Sequence, residues 1–325
     1  MTRVLITGIT GQDGGYLAEQ LLDEGAEVHG LVHTQDGTAR ALADAHPRLH
    51  LHGGDLADAE GLRALVAGVE PDELYNLGGI SSVAYSWEQP VLTAQLSGVA
   101  VAVLLQAAWE LQERSGRLVR CVQASSSEIF GQADRSPQDE DTPLRPVSPY
   151  GAAKAYGHSI AAAYRGKGLH AATCILFNHE SPRRPVTFVT RKITAAAARI
   201  AVDGRGTVEL GNLDARRDWG WAPDYVDAMV RAARHTEAAD FVIATGQTHT
   251  VAEFAEAALR RAGVGDDWAD HVEVNPAFLR PLDAEVMVGD PSRARRELGW
   301  TPTVDFDEVV GRMVDHDLEL LREGE

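Results

Sequence analysis

Three glycines spaced three residues apart, Gly8, Gly11 and Gly14, follow directly on a short apolar run over residues 4–7. The stretch after them sets Tyr16, Leu17, Leu21 and Leu22 on one helical face. A strand, a glycine turn and a helix in that order leave few folds open. The first glycine lets the chain turn tightly, and the second lets backbone amides approach a pyrophosphate. The third permits close helix–strand packing, with the ligand's charge on the helix N-terminus. At the first strand–helix junction of an α/β chain, such a turn is the cradle of a dinucleotide.

The same rhythm continues. Apolar strands are expected over residues 27–32, 49–52, 73–77, 117–124 and 171–177, and helices over 38–45, 58–69, 92–113 and 150–165. The strands are almost continuously apolar rather than alternating, which means a sheet covered on both faces. This is the α/β class, a Rossmann-type doubly wound parallel sheet with a smaller C-terminal substrate-binding domain. The rhythm breaks after Asn178 into segments rich in Arg, Pro and Trp, and ends in an amphipathic helix over 306–321. Residues 1–177 are expected to form the dinucleotide-binding domain, with 221–249 returning to it. Residues 178–220 and 250–325 are expected to form the substrate-binding domain.

Composition narrows the function. The 325 residues carry 48 acidic and 30 basic side chains, a formal charge of −18. That field repels phosphate backbones and anionic lipid, so neither a nucleic acid nor a membrane is the expected partner. Cys121 and Cys174 each lie in an apolar stretch, which suits two buried thiols better than a disulfide. No ligand spacing suggests a metal. The opening residues hold too short an apolar run for a signal peptide, and the apolar window 98–109 is too short to span a bilayer. A cytoplasmic protein is expected.

Two motifs carry chemistry. In Tyr150-Gly-Ala-Ala-Lys154 the tyrosine and lysine share a helix face. The ammonium is therefore expected to lower the phenol's pKa and to grip the nicotinamide ribose, leaving a phenolate that takes a proton from a sugar hydroxyl. The fifth strand ends in Ser125-Ser126-Ser127-Glu128, where side chains face the ligand crevice. Ser126 is placed to hydrogen-bond the reacting oxygen. A plain redox enzyme or a 4-epimerase has no need of Glu128, whereas an enzyme that moves a proton at a neighbouring carbon does.

With these residues assembled, the chain resembles the GDP-mannose 4,6-dehydratase family of extended short-chain dehydrogenases, in its shorter bacterial form. The similarity runs through residues 8–16 (GITGQDGGY), 86–90 (SWEQP), 125–131, 150–154, 175–184 (ILFNHESPRR), 188–193 (FVTRKI) and 210–220 (LGNLDARRDWG). It implies oxidation at C4 of GDP-mannose or a close GDP-sugar, loss of water across C5 and C6, and hydride return to C6. Ser126, Glu128, Tyr150 and Lys154 would be the catalytic residues. Gly8, Thr10, Gly11, Gln12, Asp13, Gly14, Arg40, Asp55, Leu56, Leu77, Gly78, Ser81, His179 and Arg184 would join Tyr150 and Lys154 in holding the cofactor. Ser81, Ser126, Glu128, Asn178, Lys192, Arg217, Arg280 and Asp283 would hold the substrate, arginine's fork suiting the diphosphate.

The resemblance also implies a homodimer or homotetramer. NADP is the expected cofactor and NAD the alternative, because Val32 at the end of the second strand is uncharged while Asp36 and Arg40 nearby argue in opposite directions. Ile80, Ser159 and Pro185 depart from the family's usual residues. A GDP-heptose, or epimerisation of a nucleotide sugar, stands as the alternative reading.

Overall fold

The computed structural model describes residues 1–33, 43–44, 46–279, 282 and 284–324. The helix expected over 38–45 falls largely outside these residues, as do Arg40, Arg280 and Asp283. Strands β1 (Arg3–Thr7), β2 (Glu27–Val32), β3 (Leu49–Gly53), β4 (Glu73–Asn76), β5 (Arg120–Ser126), β6 (His170–Leu176) and a later strand, Asp240–Ile243, form one seven-stranded sheet. In spatial order it runs β3-β2-β1-β4-β5-β6 and then Asp240–Ile243, and every pairing is parallel. Strand order reverses direction between β1 and β4, which opens the ligand crevice of a doubly wound sheet.

Helices cover both faces. On one side lie α1 (Gln12–Asp23) and the later helix Ala222–Arg234, packed on Ile6, Val28, Ala172 and Phe241. On the other lie α2 (Ala59–Val69), the long helix 90–115, and the helix Pro149–Gly166. A short α3 (Val83–Glu88) leads into the long helix, here α4, which passes through a π turn at Gln95–Val99. Helix α4 is longer than the sequence pattern suggested, and its length and composition would suffice to cross a membrane. Its Val101, Leu104, Leu105, Ala108 and Leu111 are instead buried against α2 and the sheet, so it acts as a core helix.

β5 begins three residues later than expected and ends two residues later. Gly116 closes α4 in the left-handed region at φ +66°, and Arg117 is drawn aside to Asp72 at 2.8 Å, so pairing starts only at Arg120. The shift puts Ser125 and Ser126 inside the strand rather than beyond it. Cys121 and Cys174 are free and buried, and burial pushes the Cys121 thiol up to about 12.

After helix α5 (Pro149–Gly166) and β6, the chain makes β7 (Asn178–Glu180), α6 (Val189–Asp203), β8 (Val208–Leu210), β9 (Arg216–Arg217) and β10 (Trp219–Trp221). β7 and β10 pair in parallel just past the end of β6. The helix Ala222–Arg234 (α7) then leads to Asp240–Ile243 (β11), the strand that rejoins the sheet beside β6. A second core gathers around Trp219, Phe254 and Val310, where α6, α8 (Val251–Ala262) and α9 (Phe306–Glu323) meet. The buried Arg191–Asp317 ion pair links α6 to α9.

Candidate active site

The glycine turn is built as its spacing requires. Gly8 has φ +73°, and a Cβ there would stand 2.8 Å from the amide nitrogen of Gly78, so the turns after β1 and β4 touch backbone to backbone. A Cβ on Gly14 would lie 2.2 Å from the Gly8 carbonyl. Gly11 is the N-cap of α1, and no side chain caps that helix. Its first-turn amides are therefore offered to a ligand, as an anion-binding terminus needs. A cradle closed to any larger residue, at an uncapped helix end, fits the pyrophosphate of a dinucleotide.

A chain of buried side chains ties this turn to the catalytic helix. Thr7 Oγ1 accepts from the Gly78 amide at 3.0 Å and donates to Asn76 Oδ1 at 2.6 Å. Asn76 donates to Gln123 Oε1 at 2.7 Å, and Gln123 to the Ala124 carbonyl at 2.8 Å. Lys154 Nζ donates to the same carbonyl at 2.9 Å. Neither Thr7 nor Gln123 was singled out from the sequence. Polar residues in strands that otherwise read as apolar were the available signal.

Tyr150 and Lys154 lie in the first turns of α5. Ser148 caps that helix by accepting from the Gly151 amide at 3.0 Å, and Pro149 follows as its first residue. Gly151 was not anticipated either. A Cβ on it would fall 2.6 Å from the Glu128 carbonyl, so the glycine lets the helix start directly against the Ser126–Glu128 turn. Ser86 Oγ accepts from the Tyr150 amide at 3.2 Å and fixes the helix start from α3.

Electrostatics here differ from the expectation. Burial pushes the Tyr150 phenol up to about 12, with Glu128 adding to the rise and a hydrogen bond with Ser126 opposing it. Burial also pulls Lys154 down to about 8, and Asp13 only partly offsets this. The Lys154 ammonium is not among the groups that most move the phenol. It is committed to the Ala124 carbonyl and stands 5.8 Å from the centre of the Tyr150 ring. Ser126 and Tyr150 are in contact, and Glu128, Asp13 and Arg184 lie within electrostatic reach of the phenol.

The residues from the second half of the expected site divide. His179 and Arg184 join the cradle. His179 Nδ1 donates to the Phe177 carbonyl at 2.7 Å, its Nε2 stands 2.9 Å from Asp13 Oδ2, and its ring stacks on Tyr225 at 4.5 Å. Gln12 bridges Asp13 and the His179 carbonyl, both at 3.1 Å, and accepts from Ser181 at 2.8 Å. Arg184 lies 3.3 Å from buried Glu180 and over the Phe188 ring. Asp55 is half-exposed and 3.7 Å from His33, just past the end of β2, while Leu56 lies against Gly78. Thr10 is exposed at the turn, Leu77 is half-buried, and Ser81 is exposed just before α3.

Lys192 donates to the Glu209 carbonyl at 2.6 Å and sits 3.7 Å over the ring of Phe278, a residue no motif had marked. Arg217 is buried and donates to the carbonyls of Ala284 and Arg216, each at 2.9 Å. Asn178 opens β7, half-buried, directly after β6. Ser159 is exposed and bonds within its own helix to the Ala155 carbonyl, so its side chain is turned to solvent.

These features match known proteins. A family model described as GDP-mannose 4,6 dehydratase matches residues 5–313. GDP-mannose 4,6 dehydratase 1 of Arabidopsis thaliana is 44% identical over 98% of this chain and 90% of its own length. The GDP-mannose 4,6-dehydratase of Yersinia enterocolitica is 41% identical over 98% and 94%. Among solved structures, the dTDP-glucose 4,6-dehydratase DesIV of Streptomyces venezuelae, with NAD bound, superposes with a TM-score of 0.84 at 27% identity, over 99% of this chain and 98% of that one. The UDP-glucose 4-epimerase of Thermotoga maritima shares the fold, with a TM-score of 0.87 at 22% identity over 98% and 100%. With the family model spanning nearly all its residues, the chain belongs to the GDP-mannose 4,6-dehydratase family of NAD(P)-dependent enzymes.

Proposed function

We propose that this protein converts GDP-mannose to its 4-keto-6-deoxy derivative by internal oxidation, water loss and reduction. The observation that carries the reading is Glu128 held against the start of the Tyr150 helix by Gly151. One site thereby brings together a phenol, a hydroxyl and a carboxylate. A bound nicotinamide dinucleotide would supply the hydride acceptor for C4, the donor for C6, and a positive ring that favours the phenolate.

The residues do the rest. Tyr150 takes the proton from the C4 hydroxyl, whose oxygen Ser126 hydrogen-bonds, and C4 stays a ketone. The 4-ketone acidifies the C5 proton. Glu128 removes it and passes a proton to the C6 hydroxyl, which leaves as water. As hydride reaches C6, a proton is delivered to C5. Lys154 holds the nicotinamide ribose, and its bond to the Ala124 carbonyl fixes its reach. Gly8, Gly11 and Gly14 hold the pyrophosphate. Asp13 and His179 brace that loop from beneath, and Lys192 and Arg217 face the substrate's nucleotide. In this reading residues 1–177 with 221–249 serve the cofactor, and 178–220 with 250–325 serve the GDP-sugar.

NADP(H) is the cofactor we favour. Val32 is buried and offers no carboxylate to a ribose 2′-hydroxyl, and the exposed His33 that follows it supplies a side-chain donor suited to a 2′-phosphate. Binding titrations with NADP and NAD test this, and a tighter grip on NAD would reverse it. For the reaction, the purified protein is incubated with GDP-mannose, other GDP-hexoses and a GDP-heptose, and the products are weighed. A product one water lighter from GDP-mannose supports the reading. An isomer of unchanged mass would make the protein an epimerase, and turnover of the heptose alone would shift the substrate.

A further inference from the structure

Two adjacent strands at the edge of the sheet place four ligand-type side chains on one face. Glu27 and His29 of β2 and His50 and His52 of β3 each stand two residues apart, and the register sets His29 opposite His50. Glu27 Oε1 lies 3.6 Å from His29 Nε2 and 3.4 Å from His50 Nε2. The three ligand atoms fall within 4.8 Å of one another. Tetrahedral zinc, at about 2.0–2.1 Å from each donor, needs donor separations of roughly 3.3 Å. Two of the three edges are already close to that.

The fourth residue sets the tautomer. His29 Nδ1 lies 2.9 Å from His52 Nε2. One nitrogen must donate and the other must offer a lone pair, so at least one of the two rings is neutral. With the proton on His29 Nδ1, the lone pair on Nε2 faces Glu27 and His50. That Nε2 is buried and makes no hydrogen bond among the described residues. A buried nitrogen of this kind calls for an explanation, and a missing ion is one.

An open groove of about 460 Å³, lined by Glu27, His29 and His52 and by Ala64, Leu65 and Gly68 of α2, leaves space for a water beside Glu27 and His29, while His50 lies outside its lining. Arg3 also borders it, with its guanidinium engaged by the Val69 carbonyl at 2.8 Å. The groove shares no lining residue with the candidate active site.

We propose that Glu27, His29 and His50 bind one transition-metal ion of the zinc class, with His52 orienting His29 from behind. Two imidazoles and a carboxylate suit zinc, cobalt or nickel, and suit magnesium or calcium poorly. The ion would clamp β3, the last strand of the sheet among the described residues, to β2. Sequence spacing gave no hint of it, because the ligands come from two strands and meet only through the register.

The test uses tag-free protein, stripped with a chelator and titrated with Co2+ under visible absorption. One Co2+ per chain with four-coordinate bands, displaced by Zn2+, is expected, together with a rise in Tm on adding Zn2+. His50 is nearly half exposed, so His50→Ala should fold normally yet lose both the bands and the Tm rise. Glu27→Gln should do the same, and His52→Ala should weaken the ion about 10- to 100-fold. No cobalt bands in the wild type, or bands unchanged in His50→Ala and Glu27→Gln, would overturn the proposal.

Discussion

His179 Nε2 stands 2.9 Å from Asp13 Oδ2, joining the strand past β6 to the first turn of α1. The other ring nitrogen faces a carbonyl, which can only accept, so both nitrogens donate when Asp13 is ionised. Burial, the largest single influence, would push His179 down and Asp13 up, but the partner's charge and the hydrogen bonds together outweigh it, leaving His179 raised and Asp13 lowered. His179 is 9% exposed at its side chain and Asp13 20%, so water screens the pair only weakly.

The sign of the pH dependence follows from these shifts. The pair's stabilisation is full between the ordinary values, 3.8 for Asp13 and 6.5 for His179. It fades as pH rises through the raised value of His179, and as pH falls through the lowered value of Asp13. His179→Gln should therefore lower Tm most between those limits, and the gap from wild type should narrow toward alkaline pH. Thermal melts of both proteins across pH check this. A gap that widens above neutrality would contradict the charged pair.

Tyr150→Phe removes the proton acceptor and keeps the ring. Turnover should fall about 100- to 10,000-fold, the usual loss for a general base, with dinucleotide binding retained. Steady-state assays and binding titrations measure the two separately.

Glu128→Gln keeps the shape and removes the second base. Oxidation at C4 should still occur while water loss stops, so reduced nicotinamide should accumulate on mixing with GDP-mannose and be visible in its absorption band. Complete conversion to product would remove Glu128 from its role.

Gly151→Ala tests how closely the helix start must approach the serine strand. The added Cβ would meet the Glu128 carbonyl at 2.6 Å, so the helix must move. A displacement of the order of 1 Å costs about 100-fold in rate, and overpacking costs about 1–3 kcal/mol. The loss should appear in kcat, with KM for GDP-mannose little changed. A neutral variant would show that the approach is slack.

Much of this was legible in the sequence, for physical reasons. Strands covered on both faces carry buried apolar runs, so β1, β4, β5 and β6 stood out, whereas β3 alternates leucine and histidine and buries only Leu49 fully. The glycines had to be glycines, because the turns after β1 and β4 touch backbone to backbone. Position along a helix is readable as well, and Tyr150 and Lys154 do share a face. What spacing cannot tell is which acceptor an ammonium chooses. Lys154 turned to the Ala124 carbonyl, and burial raised the phenol that it was expected to lower. Boundaries were the other loss. The start of β5 depends on Arg117 finding Asp72 across 45 residues, a contact that no local pattern encodes.

The central claim is that a single site oxidises C4 and reduces C6 of the same sugar. GDP-mannose carrying deuterium at C4, incubated with the wild-type protein and analysed by mass and NMR, tests this most directly. A 4-keto-6-deoxy product one water lighter, with the deuterium at C6, is expected. Deuterium lost to solvent, retained at C4, or left on reduced cofactor would contradict it.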